Sequence, residues 1–235
     1  MKKLTKEDIK HIIYTSLMIV LAVLFTVAVD KIDLALVWGK EIGFSKMNLA
    51  VHEMLGTSET FDLISDLVMV FSALVLGGMV FIGTYQIITG KGLKKVDREL
   101  ILSGVVLVLT ALVYVFFENV IINFRPVLED GLLEASYPST HVLLSVVVNI
   151  LAIDYIRTKI ENKKLRIVAI SSIATFCVIG IVTRILCGMH WITDIVGALL
   201  ISGALVMIYY TLKGIIIKKQ DVKEETCEPT EEVSE

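Results

Sequence analysis

Six separate stretches of this chain are apolar for long enough to cross a lipid bilayer, at roughly 11–29, 64–88, 101–123, 142–157, 166–186 and 192–212. A helix needs about 20 largely apolar residues to cross the hydrocarbon layer. The fourth stretch is the shortest and carries Asn149 and Asp154. With 55% of residues hydrophobic, only 20% charged and a mean hydropathy of +0.78, the chain has too little charge to cover a water-facing surface. A soluble fold is excluded, as are collagen, a disulfide scaffold and disorder over most of the length. The three cysteines, Cys177, Cys187 and Cys227, suggest no bridging framework. No basic stripe suggests nucleic acid, and no internal repeat or Pro-rich linker divides the body. The expected fold is all-α: an integral membrane protein whose six transmembrane helices form one bundle over residues 1–219.

Basic residues orient the spans, because cytoplasmic loops are enriched in Lys and Arg. One side carries Lys2, Lys3, Lys6 and Lys10, then Lys91, Lys94, Lys95 and Arg98. It also carries Arg157, Lys159, Lys163, Lys164 and Arg166, then Lys213, Lys218, Lys219 and Lys223. The other side has only Lys31, Lys40, Lys46, Arg125 and Arg184. Both termini are therefore expected in the cytoplasm of a multi-pass protein of the cell membrane. The competing reading of span one is a cleaved signal peptide. Its apolar run is long for an h-region and no clear A-x-A site follows, so it is read as a retained span.

The formal charge of −3 is concentrated in one place. Residues 220–235 hold seven acids and one lysine, which predicts an acidic, disordered cytoplasmic tail on a mildly basic body. Between spans one and two, Ile42–Leu55 places Phe44, Met47, Leu49, Val51 and Leu55 among polar neighbours. That pattern predicts an amphipathic helix along the membrane surface. His52 within it, and His11 at the edge of span one, read as interfacial polar residues rather than ligands.

The informative polar residues cluster at the outer ends of spans three to six. Glu118 and Arg125–Pro126 follow span three, Tyr137–Pro138–Ser139–Thr140–His141 opens span four, and Thr183–Arg184, His190 and Asp194 bridge spans five and six. Charged groups at that depth are costly unless they pair or serve a site. His190 and Asp194 are four apart on one helical face. A carboxylate accepting from one imidazole nitrogen leaves the other free to attack. The amides of Ser139, Thr140 and His141 open a helix, where phosphate binds readily. Arg125 and Arg184 add planar forks suited to phosphate oxygens. Together these groups describe a phosphoryl-transfer site with a second histidine able to act as acid. Taken singly each has a structural reading, as an ion pair or a cap. Two histidines with one aspartate could suggest zinc, but the flanking arginines would repel a cation, so no metal and no cofactor are expected. Walker, H-E-x-x-H, G-x-S-x-G and paired C-x-x-C motifs do not occur.

These residues resemble the three-part signature of the type 2 phosphatidic acid phosphatase superfamily, K-x6-R-P, P-S-G-H and S-R-x5-H-x3-D on a six-helix membrane core. Here the parts read Glu118-x6-Arg125-Pro126, Pro138-Ser139-Thr140-His141 and Thr183-Arg184-x5-His190-x3-Asp194. The resemblance implies that His190 is the nucleophile forming a phosphohistidine, oriented by Asp194, with His141 as general acid. It implies phosphate binding by Arg125, Arg184, Ser139 and the Thr140 amide, on the extracytoplasmic side and without metal. Thr140 stands where the family has Gly, which requires a backbone φ below zero there. Glu118 stands where the family has Lys. A carboxylate there repels a phosphoryl group unless it turns away, is tied up by Arg125 or Arg184, or selects a head group carrying a cation.

The expected function is a lipid phosphatase acting on a membrane lipid phosphate or diphosphate, of the undecaprenyl diphosphate, phosphatidylglycerophosphate or phosphatidic acid class. Two alternatives stay open: a phosphotransferase onto a lipid or sugar hydroxyl, and a catalytically silent lipid-binding relative. No obligate protein partner is inferred. Ala198 and Ser202 read as a packing face within the bundle, Cys187 as a small apolar filler, and Asp154 as an interfacial residue.

Overall fold

The computed structural model describes residues 4–129 and 131–225, with side chains described as far as Ile216. Six helices are long and apolar enough to cross a membrane: α1 (Lys6–Lys31), α3 (Glu59–Gly90), α4 (Arg98–Asn119), α5 (Thr140–Lys159), α6 (Lys163–Leu186) and α7 (Ile192–Glu225). Each coincides with an apolar stretch of the sequence, including the short fourth one. The chain is an all-α integral membrane protein, with α2 (Ser45–Leu55) as the additional helix between the first two spans.

Local chemistry sets the helix starts. Thr5 and Asp8 form a reciprocal capping box before α1, and Asn162 accepts from the amides of Lys164 and Leu165 before α6. Such caps satisfy amides that have no partner inside the helix.

The segment before α2 differs from the expectation of one helix from Ile42. A hairpin of β1 (Ala35–Val37) and β2 (Lys40–Ile42) precedes the helix, which begins only at Ser45. Gly43 explains the break, because a Cβ there would lie 1.5 Å from the Val29 carbonyl oxygen at the end of α1. Phe44 and Ser45 then donate their amides to the carbonyls of Ile32 and Asp33, so α2 hangs from the end of α1. At the other terminus α7 continues to Glu225, into the stretch expected to be a disordered tail. The rest of that stretch, 226–235, lies outside the described residues.

Helices α5 and α7 form the centre. Of their membrane windows 61% and 56% are buried, against 11–28% for the other four spans. Leu17, Leu24, Leu74, Leu112 and Val168 point outward, where lipid tails rather than water are their solvent. Inside, hydroxyls and amides tie helix to helix, as membrane interiors favour. Thr15 meets Thr211 at 2.7 Å, Asn149 donates to Ser72, and Ser202 reaches the Leu143 carbonyl on α5 at 3.3 Å. Ala198 and Ser202 are fully buried, so that small-residue face packs within the bundle.

The two ends differ in chemistry. Towards the basic loops, Asp97 accepts from Gln86, Tyr155 and Lys159. Asp154 at this end is buried within the protein and tied to Tyr209 and Lys213. The opposite end gathers the starts of α3, α5 and α7 and the ends of α4 and α6.

Candidate active site

Every candidate site residue, Glu118, Arg125, Ser139, Thr140, His141, Arg184, His190 and Asp194, lies at that second end, but in two layers. A cavity of about 480 Å³ is lined by Glu118 from α4, by Arg125 and residues 134–138 of the connecting segment, by Thr140 of α5, and by His190. Ser139, His141, Arg184 and Asp194 lie outside this lining, and Ser139, Arg184 and Asp194 are almost wholly buried.

His190 sits between α6 and α7 with its side chain only 3% exposed. Its Nδ1 lies 3.0 Å from the Ser136 carbonyl, which can only accept. The proton is therefore on Nδ1, and in the neutral ring Nε2 keeps its lone pair. That Nε2 is buried and has no hydrogen-bond partner among the described residues. Burial first, with the Asp194 carboxylate opposing and the Arg184 charge adding, holds the imidazole below its ordinary pKa.

Asp194 departs from the expected direct contact. Its Oδ2 is 3.7 Å from His190 Nδ1, too far for a hydrogen bond. The Ser136 hydroxyl stands between them, 3.1 Å from Nδ1 and donating to Asp194 Oδ2. Asp194 also accepts from the Trp191 amide at 3.0 Å and from Asn123 at 3.2 Å, so it is fixed on three sides.

The amide cradle also differs in one member. Ser139 donates its backbone N–H to the Asp194 carbonyl at 3.1 Å, so Thr140 and His141 remain to present amides at the α5 start. Ser139 Oγ is buried without a partner among the described residues. Thr140 is the first helical residue and is not among the positive-φ positions, so the backbone accommodates a Cβ where the family has Gly.

Each cation comes with its own carboxylate. Arg184 donates to Asp62 at 2.6 Å, Arg125 pairs with Glu129 and with Glu134, and His141 Nε2 lies 3.0 Å from Asp66. Neither arginine is tied to Glu118. The Nε atoms of both arginines are buried and have no partner among the described residues. Asp62 and Asp66 lie one turn apart at the start of α3, and the sequence analysis passed over them. Their signal was a pair of acids at i and i+4 opening an otherwise apolar span.

The loop that carries His190 is stapled in place. Ser58 donates its amide to the Cys187 carbonyl. Gly188 has φ +69, and a Cβ there would lie 2.1 Å from the Gly56 carbonyl oxygen. Trp191 donates its indole N–H to the Phe124 carbonyl at 2.6 Å, and Trp38 does the same to Pro126 at 3.0 Å. The segment bearing Arg125 is thus held from both sides. His52 stands edge-on to Trp191. Burial pushes the Cys187 thiol up, as suits a filler. Among the described residues no group of three His, Cys, Asp or Glu is arranged to hold a metal.

Residues 100–216 match the PAP2 superfamily. Among solved structures, the chain is similar to a transmembrane PAP2-type phosphatidylglycerolphosphate phosphatase from Bacillus subtilis. The TM-score is 0.63 and the identity 15%, over 86% of this chain and 96% of that one. At that identity the likeness speaks for the fold. The sequence matches no curated protein.

Proposed function

The chain belongs to the PAP2 superfamily, and from that premise we propose that it is an integral membrane phosphatase that hydrolyses lipid phosphates or diphosphates through a phosphohistidine, without metal. The observation that carries the reading is the set of orphaned buried polar atoms at one end of the bundle. His190 Nε2, Ser139 Oγ and the Nε atoms of Arg125 and Arg184 all lack partners among the described residues. Buried polar atoms left unpaired cost about 1–3 kcal/mol each. Four of them around one site fit a ligand with several acceptor oxygens and an electrophilic centre.

In this mechanism His190 Nε2 attacks the phosphorus and a P–N bond forms as the P–O bond to the lipid breaks. Ser136 and Asp194 keep the proton on Nδ1 and stabilise the ring as it becomes positive. His141, whose Nε2 proton is held by Asp66, acts as the imidazolium with a proton on both nitrogens, and delivers the one on Nδ1 to the leaving oxygen. It then takes one from the water that hydrolyses the P–N bond. Arg125, Arg184, Ser139 and the Thr140 amide bind the transferring oxygens, in the manner of preorganised donors aimed at developing charge.

A second cavity supports a lipid as the bearer of the phosphate. It has a volume of about 430 Å³ and lies between α1, α4 and α7 with an almost wholly apolar lining, sharing Phe117 with the site. Thr26 on its wall meets the Tyr137 hydroxyl of the site at 2.7 Å. Undecaprenyl diphosphate, phosphatidylglycerophosphate and phosphatidic acid are the substrate classes to test, and the charge asymmetry of the loops supports a site facing away from the cytoplasm.

The test is phosphate release by detergent-purified protein in EDTA across those three classes, with His190→Ala as control. Release by the wild type alone is expected. Release that needs an added divalent cation, or that survives His190→Ala, overturns the proposal.

A further inference from the structure

The site cavity carries more negative than positive charge. Its charged lining consists of Glu118, Glu134 and Arg125, and Arg125 is itself shared between Glu129 and Glu134. Of these carboxylates Glu118 is the one that no cation among the described residues neutralises. Both arginines have other partners, which removes the reading in which Glu118 is simply tied up. Nor does it turn away, since it lines the cavity together with Tyr114, one turn before it on α4. The same cavity is lined by His190, whose side chain is 97% buried and whose buried Nε2 has no partner among the described residues. A ligand is therefore indicated by an atom independent of the acids.

A lipid phosphate with no other charge would meet this lining with like charges facing each other, and such juxtapositions disfavour wrong partners. A phosphate joined to an ammonium would not. We infer that Glu118 selects lipid phosphates whose head group carries a cationic amine close to the phosphorus, the phosphate lying towards His190 and Arg125 and the ammonium against Glu118. This deepens the phosphatase reading and rests on it. The phosphoryl step is unchanged, because the amine takes no part in bond making or breaking.

The experiment compares two substrates in detergent micelles: a phosphorylated long-chain 2-amino alcohol, and the phosphate of the same alcohol without the amine. Wild type is expected to favour the first by about fivefold in kcat/KM, the worth of one solvent-exposed ion pair. Glu118→Gln brings the ratio to about one, and Glu118→Lys reverses it. A wild-type ratio of one or below, or a ratio that Glu118→Gln leaves in place, overturns the inference while leaving the phosphatase reading standing. Should neither these lipids nor any of the three classes above be hydrolysed, the phosphatase reading fails. The same two lipids then test Glu118 through the rise each causes in the unfolding temperature of the detergent-solubilised protein. Equal rises in wild type and Glu118→Gln overturn the inference on binding alone. Glu118 is exposed near the end of its helix, so both variants keep the packed interior.

Discussion

Asp194 acts on His190 through a third residue: 3.7 Å separates carboxylate from imidazole, and the Ser136 hydroxyl bridges the gap. Ser136 also accepts the imidazole proton at its own carbonyl, so one residue fixes both the ring's tautomer and its link to the carboxylate. If the bridge positions the nucleophile, Ser136→Ala lowers kcat by about 100-fold, the cost of a small misplacement of a reacting group, with KM little changed. Ser136→Thr, which restores a hydroxyl, recovers a substantial part. Equal losses in both variants, tracking the amount of folded protein, would assign Ser136 to packing alone.

The pH dependence follows from the same ring. The reactive form of His190 is neutral, and burial lowers its pKa, so the neutral form persists to pH values below the ordinary 6.5 or so of histidine. The rate falls only as pH drops through that lowered value. Measured as kcat/KM against pH, the acid limb should therefore lie below about 6.5. An acid limb at or above that value contradicts the assignment of His190 as the buried nucleophile.

Arg184 is almost fully buried and pairs with Asp62. Removing the carboxylate alone leaves a buried charge without its counter-ion. Because Asp62 is partly exposed, Asp62→Asn is expected to cost about 2 kcal/mol, below the roughly 3–5 kcal/mol of breaking a fully buried pair. The double variant Asp62→Asn with Arg184→Gln should regain part of that stability while remaining inactive. Thermal unfolding in detergent reads both, and additive losses in the double variant would show that the two residues do not depend on each other.

Gly188 is a position where no side chain fits. Its left-handed φ alone costs another residue about 1–2 kcal/mol, and a Cβ would stand 2.1 Å from the Gly56 carbonyl oxygen. Gly188→Ala should lower the unfolding temperature and pull the His190 loop from the α2–α3 junction. Limited proteolysis between residues 56 and 58 is the more specific readout. An unchanged cleavage pattern would separate this glycine from the loop's anchoring.

The six spans were legible because lipid imposes a length and a composition on each, and even Asn149 and Asp154 did not hide α5. The placing of Arg125, His141, Arg184 and His190 at one end was legible from spacing and loop charge. What escaped lies where no periodicity operates. Ser136 and Asn123 reach Asp194 from an irregular segment, and their contacts depend on how that segment folds back. Asp62 and Asp66 carried no signal of their pairing at the start of a span, since their partners are more than seventy positions away. The hairpin before α2 follows from a contact between Gly43 and Val29 that hydropathy does not record.

Pairing every site cation with a carboxylate has a consequence for how substrate arrives. Such pairs cancel at a distance, so this end of the bundle projects no net positive field into the water beyond roughly a Debye length, about 8 Å at physiological salt. Steering of anions from bulk solution, which speeds encounter and fades with ionic strength, has nothing here to work with. Under the proposed function, Arg125 acts only on a phosphate already at the cavity. Delivery falls instead to diffusion within the plane of the bilayer, along the apolar groove between α1, α4 and α7. Turnover is then governed by the surface density of lipid in the membrane, and it should hold nearly constant as salt is raised.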